Sequence, residues 1–79
     1  MKDKISNYII HHIAKQKIDT IHADDDLLAD GLIDSLGMMK LVAFVEKEAQ
    51  IKIPPEDLTL ENFMTIDHIL EYLANQSTT

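Results

Sequence analysis

A serine at the start of a predicted helix is the residue with the clearest capacity for chemistry in this chain. Ser35 follows Asp34 and precedes the apolar Leu36, and a long run without proline begins there. In a structural interpretation Ser35 caps the helix, because a serine hydroxyl often accepts a hydrogen bond from a backbone N–H one turn further on. In a chemical interpretation the hydroxyl carries a phosphodiester, whose negative charge the positive end of the helix dipole stabilises. Physical chemistry alone favours the cap and leaves both interpretations open.

Other reactive groups are absent or poorly placed. The chain has no cysteine, and hence no thiol nucleophile and no thiolate metal ligand. His11 and His12 are adjacent, so on a helix their side chains point about 100° apart and do not share a metal ion. The acidic segment fails as an EF-hand loop, since its best alignment places Gly37 where a bidentate glutamate is required. We therefore predict no metal site and no catalytic residue.

Composition and charge restrict the classes of protein further. The 79 residues predict one domain, 1–79, too small for a core plus a deep active site. Seven lysines against 14 acids give a net charge of -7, which repels nucleic acid. No apolar run approaches the ~20 residues of a membrane span, and the start of the chain lacks the apolar region of a secretory signal. We expect a soluble, cytoplasmic monomer with no nucleic acid and no membrane among its partners.

The spacing of apolar residues predicts an all-α fold, a small bundle of three main helices plus one short helix. The predicted elements are a first helix at 3–16, a long acidic loop at 17–34, a second helix at 35–50, a short helix at 56–61 and a last helix at 65–74. Pro54 is expected to end the second helix, and Thr65 to cap the last one. Leu58 and Leu60 are expected to anchor the short helix. The residues expected in the core at helical spacing are Ile5, Ile9, Ile10, Ile13, Ala14, Met38, Leu41, Val42, Val45, Ala49, Ile66, Ile69, Leu70 and Leu73.

The opposite face of the second helix carries surplus apolar residues. Leu36, Met39 and Ala43 fall on that face together with Lys40 and Lys47. Apolar side chains that the core does not use are typical of partner-binding surfaces.

The tripeptide Asp34-Ser35-Leu36 resembles the D-S-L signature of acyl and peptidyl carrier proteins. The similarity extends over residues 24–74 and includes Ile53-Pro54 after the second helix. It implies that Ser35 carries 4'-phosphopantetheine, transferred from coenzyme A by a separate magnesium-dependent phosphopantetheinyl transferase. That group would supply the thiol that this chain lacks. The resemblance also implies that Asp34 helps the transferase to engage and that partners recognise the second helix through Leu36, Met39, Ala43 and Glu46.

The resemblance implies a function in thioester chemistry without catalysis by the chain itself. We expect a free-standing (type II) carrier, loaded with an acyl or amino acid group by an adenylating or acyl-loading enzyme and unloaded by downstream acyl-processing enzymes. Gly37, Lys40 and Lys47 stand where fatty acid synthesis carriers commonly have acids, which favours nonribosomal peptide or polyketide-type secondary metabolism.

Two alternatives remain open. Within the same family, the chain serves fatty acid synthesis or D-alanine transfer. In another class, it is an unmodified helical adaptor that binds basic partners through the six aspartates of residues 19–34 and through the face of Leu36 and Met39. A solvated loop is an equally good interpretation of most of those aspartates.

Overall fold

Helices form all the regular structure in the part of the chain that the computed structural model describes, residues 1–76. The elements are α1 (Lys2–Tyr8) continuing into a π-helical turn (Ile9–Ile13), α2 (Ser35–Ala49), a 3-10 turn (Pro55–Asp57), α3 (Leu60–Phe63) and α4 (Ile66–Gln76). The prediction of a small all-α bundle is confirmed.

The first helix and α2 both end before the predicted residue. The first helix ends at Ile13 rather than residue 16, because Ala14 has an extended backbone. The N–H of Ala14 makes the last bond of the π-helical turn, to the carbonyl of Ile9 at 2.8 Å. The second helix ends at Ala49, where Gln50 takes a left-handed conformation with φ 56° and ψ 44°. The left-handed residue closes the last turn, as is common at helix C-termini. Pro54 lies beyond that end and does not cause it.

The predicted short helix at 56–61 is wrong. Residues there form the 3-10 turn, and a separate α3 begins at Leu60 with Thr59 as its cap, whose Oγ1 accepts from the N–H of Asn62 at 3.3 Å. Leu58 and Leu60 are not anchors, since they are 37% and 63% exposed. Phe63 is the side chain of α3 that enters the core.

The core has contributions from every long helix. Its buried apolar side chains on helices are Ile5, Ile9, Ile13, Leu41, Val42, Val45, Phe63, Ile66, Ile69 and Tyr72. Most of them were expected from helical spacing, and the other expected core residues of the three main helices are half-buried. No helix within residues 1–76 is long and apolar enough to cross a membrane.

The segment between the first helix and α2 is also part of the core, although it has no helix. Ile21, Leu27 and Ile33 are buried. The N–H of Leu27 bonds to the carbonyl of Met64 at 2.9 Å, and the N–H of Asp67 bonds to the carbonyl of Ala23 at 3.0 Å. These bonds fasten the segment to the corner between α3 and α4.

The aspartates of this segment build its turns. The N–H of His22 donates to Asp25 Oδ2 at 2.9 Å, and the N–H of Ala29 donates to Asp26 Oδ1 at 2.9 Å. Asp30 Oδ2 accepts from the N–H of Asp26 at 3.2 Å. Such bonds from aspartate to nearby backbone are typical of turns. These bonds give Asp25, Asp26 and Asp30 a structural role in the turns.

Tyr72 in α4 gives the fold a predicted pH dependence. Its hydroxyl donates to Asp57 Oδ2 at 2.7 Å, and burial, then the hydrogen bond and negative charge of Asp57, raise the pKa of Tyr72 from 10.0 to about 12. As pH rises from 10, the unfolded chain loses this proton before the folded one, so the free energy of unfolding falls. We expect Tyr72→Phe to lower the free energy of unfolding by about 1 kcal/mol at pH 7. Between pH 9 and 11, the free energy of unfolding should fall less in the variant than in the unchanged chain. Urea unfolding of both proteins at the two pH values measures this, and equal losses would contradict it.

Candidate functional site

The start of α2 brings Asp34 and Ser35 to the surface in different roles. Asp34 has an extended backbone and is the N-cap, with its Oδ1 accepting from the N–H of Gly37 at 2.8 Å. The interpretation of Ser35 as the cap is therefore wrong. Ser35 is the first residue inside the helix, it is exposed, and its hydroxyl makes no hydrogen bond with any residue of the described chain.

Gly37 sets how closely the first turn of α2 approaches the rest of the protein. It is buried, and a Cβ added to it would lie 3.3 Å from both Asp34 Oδ1 and Ile33 Cβ, and 3.6 Å from the carbonyl oxygen of Ile13. Ile33 is only 2% exposed and has little room to move. The glycine thus allows the capping carboxylate, the buried isoleucine and the end of the first helix to meet at one place.

This packing reverses the usual effect of replacing a helical glycine. Alanine would ordinarily stabilise a helix by about 1 kcal/mol relative to glycine. We expect Gly37→Ala instead to lower the free energy of unfolding by about 0.5–1 kcal/mol, because the new methyl group presses on Ile33 and on the Asp34 cap. Chemical denaturation measures the change. A more stable variant would show that the first turn is not closely packed.

The residues expected to recognise partners fall into two groups. Leu36 and Met39 are 66% and 59% exposed, and Ala43 is exposed on the same side of α2. Glu46 is half-buried, and its Oε2 accepts from the N–H of Ile53 at 2.8 Å. Glu46 therefore holds the chain that follows α2, and this contact is a reason to omit it from a recognition surface.

An apolar groove adjoins Met39 and was not foreseen from the sequence. It has a volume of about 190 Å³ and lies between α2 and the region of α3. Its lining includes Leu28, Met38, Met39, Val42, Leu58, Leu60 and Phe63. In the sequence, Thr59 was the residue that could have placed Leu60 in the first turn of a helix, because threonine often caps a helix.

Within residues 1–76, no three histidine, aspartate or glutamate side chains come together as a metal site.

Fold and site define a small helical protein that presents one unengaged serine hydroxyl at the start of a helix. Residues 8–73 match the family described as "Phosphopantetheine attachment site". The chain is also 35% identical over 48 residues to the D-alanyl carrier protein of Streptococcus uberis, and the match covers 61% of each of the two chains. The chain therefore belongs to the phosphopantetheine attachment site family. The description of the family implies 4'-phosphopantetheine as a covalently attached cofactor.

Proposed function

We propose that Ser35 is the attachment point of 4'-phosphopantetheine and that the chain carries an aminoacyl group. The observation that carries the proposal is the exposed Ser35 hydroxyl, which is left without a hydrogen bond because Asp34 is the cap. A serine engaged in capping would have to give up a bond before it could react. Here the reactive oxygen is already available.

The residues around this hydroxyl fit the phosphodiester of the cofactor. Ser35 begins a 15-residue helix, whose positive end and unpaired N–H groups favour a negative charge. When bound, the cofactor supplies a thiol for thioester formation, which a chain without cysteine cannot provide. The chain itself holds the attachment point in place and exposes it, and we assign it no catalytic group.

D-alanine is the cargo that we propose first, because the relative in Streptococcus uberis is a D-alanyl carrier protein. Nonribosomal peptide or polyketide-type metabolism is the second candidate. The exposed Lys40 and Lys47 on α2 favour it over fatty acid synthesis, since partners that read an acidic carrier would meet cations there.

Mass spectrometry of the intact chain tests the attachment. After incubation with coenzyme A, magnesium and a broad-specificity transferase, we expect the mass to rise by one phosphopantetheine, and proteolysis should place the addition on the peptide containing Ser35. An unmodified chain, under conditions that convert a reference carrier fully, would contradict the proposal and favour the unmodified adaptor.

The cargo is tested by incubating the modified chain with ATP and a D-alanine-adenylating ligase, with other amino acids and their ligases in parallel. Loading by another amino acid alone would favour the second candidate.

Asp34 is proposed to assist the transferase with the carboxylate that also caps α2. Asn caps helices as well as Asp, so Asp34→Asn should change stability by less than about 1 kcal/mol. We expect attachment to slow by about tenfold or more, as for the loss of one charge-assisted contact. Initial rates of mass gain measure the effect. The control is Asp30→Asn, which changes the same charge at another exposed carboxylate that accepts a backbone N–H. Equal slowing of both variants would show that Asp34 has no special role.

A further inference from the structure

The exposed residues of α2 form a continuous stripe along the helix. Its members are Leu36, Met39, Lys40, Ala43 and Lys47, which follow each other at intervals of one, three and four residues. All five are exposed, and Leu36 and Met39 are the most apolar of them, with 66% and 59% of their surface accessible. We call this set the outward stripe. It combines an apolar end near Ser35 with two cations further along.

The outward stripe is positively charged although the chain is acidic. The net charge of the chain is -7. The two carboxylates of α2 are both engaged, since Glu46 accepts from the N–H of Ile53 at 2.8 Å and Glu48 pairs with Lys4 Nζ at 3.1 Å. Neither Lys40 nor Lys47 forms an ion pair with a residue of the described chain. Both ammonium groups are therefore available to a partner.

Any enzyme that acts on the Ser35 hydroxyl must cover part of the outward stripe. Met39 follows Ser35 by four residues, so the two side chains are neighbours on the helix surface. Leu36 adjoins Ser35 directly. An enzyme that closes over this apolar end and continues along α2 meets Lys40 and then Lys47.

We propose that Lys40 and Lys47 select the transferase that acts on Ser35, by attracting a docking surface with carboxylates and repelling one with cations. The partner surface has an apolar socket for Leu36 and Met39 and acidic groups along the rest of the outward stripe. This inference rests on the proposed attachment at Ser35. A protein partner is favoured over an anionic membrane or nucleic acid, because the net charge of -7 repels extended anionic surfaces while a local surface can match the stripe.

A charge exchange with one transferase tests the proposal. The probe is a phosphopantetheinyl transferase with a basic carrier-docking groove, together with a variant in which the basic groove residues are replaced by glutamate. The chain is used unchanged, as Lys40→Glu/Lys47→Glu, and as the control Lys2→Glu/Lys17→Glu. Lys2 and Lys17 are exposed and lie outside the outward stripe, so the control has the same net charge as the test variant. The kcat/KM for attachment is measured by mass at low and high salt.

The expected result is a crossed pattern. With the basic groove, Lys40→Glu/Lys47→Glu should raise kcat/KM by about tenfold at low salt, and with the acidic groove it should lower kcat/KM by a similar factor. Both effects should shrink at high salt, because the interaction is screened. The control should stay close to the unchanged chain with either transferase.

Three results would overturn the proposal. Equal changes in the test variant and the control would show that net charge acts without a docking stripe, and no change in either would show that the lysines are not read. Binding of the chain to phosphatidylglycerol vesicles that is lost in Lys40→Glu/Lys47→Glu would assign the lysines to a lipid surface. Failure of the unchanged chain to gain any mass, with a reference carrier fully converted, would contradict the proposed function itself. That outcome differs from equal kcat/KM values in all the variants, which would contradict only the role of the lysines.

Discussion

Replacing Ser35 by alanine is expected to abolish phosphopantetheine attachment completely while leaving the fold intact. The variant has no oxygen at this position to form the phosphodiester. Because Asp34 is the cap and the Ser35 hydroxyl makes no hydrogen bond in the described chain, the free energy of unfolding should change by less than about 0.5 kcal/mol. Intact mass after transferase treatment measures attachment, and urea unfolding measures stability.

Ser6→Ala is the control for this experiment. Ser6 is half-buried in α1, so its replacement should leave attachment unchanged. Residual attachment in Ser35→Ala would move the site to another hydroxyl. A loss of about 1 kcal/mol or more in Ser35→Ala would indicate that the serine contributes to the helix cap after all.

Replacing Leu41 by alanine is expected to have the largest effect on stability. Leu41 is fully buried in the middle of α2, and the cost of such a truncation is about 2–5 kcal/mol. A folded chain of 79 residues has a total stability of about 4–12 kcal/mol. The variant should therefore lose a large share of its stability and unfold at a much lower temperature, as measured by circular dichroism.

Leu60→Ala provides the matched comparison, since it removes the same atoms from a side chain that is 63% exposed. Its stability should change by less than about 0.5 kcal/mol. If Leu60→Ala cost as much as Leu41→Ala, the exposed position of Leu60 would be wrong.

The main helices could be predicted because their apolar spacing is regular. Ile5, Ile9 and Ile13 share one face of the first helix, and Leu41 and Val45 do so in α2. The region around α3 could not be predicted in the same way. A short helix buries too few residues for a periodic signal, and Leu58 and Leu60 look like core residues until the cap at Thr59 is placed. The left-handed Gln50 was also unforeseen, because glycine is the usual residue there.

The candidate site could be located from the sequence, but the separate roles of its residues could not be predicted. Asp34 and Ser35 are both good capping residues, and only the backbone at the start of α2 shows that Asp34 takes the role. Glu46 was expected to face partners because of its place on the helix, yet its hydrogen bond to Ile53 joins residues seven apart and depends on how the chain turns after α2. The importance of Gly37 depends on Ile33 and Ile13, which no local pattern connects to it.

The segment between the first helix and α2 determines where motion in this protein can occur. Its three buried side chains and its backbone bonds to Met64 and Asp67 tie it to the core, and the N–H of Lys15 adds a bond to the carbonyl of Leu32 at 2.9 Å. We expect amide protons held in this way to exchange with solvent through cooperative opening of the bundle rather than through local fraying. We therefore expect the proposed attachment point to stay fixed relative to the bundle. For a phosphopantetheine group attached at Ser35, the distance that the group can reach would be set by its own length and by rotation of the whole protein.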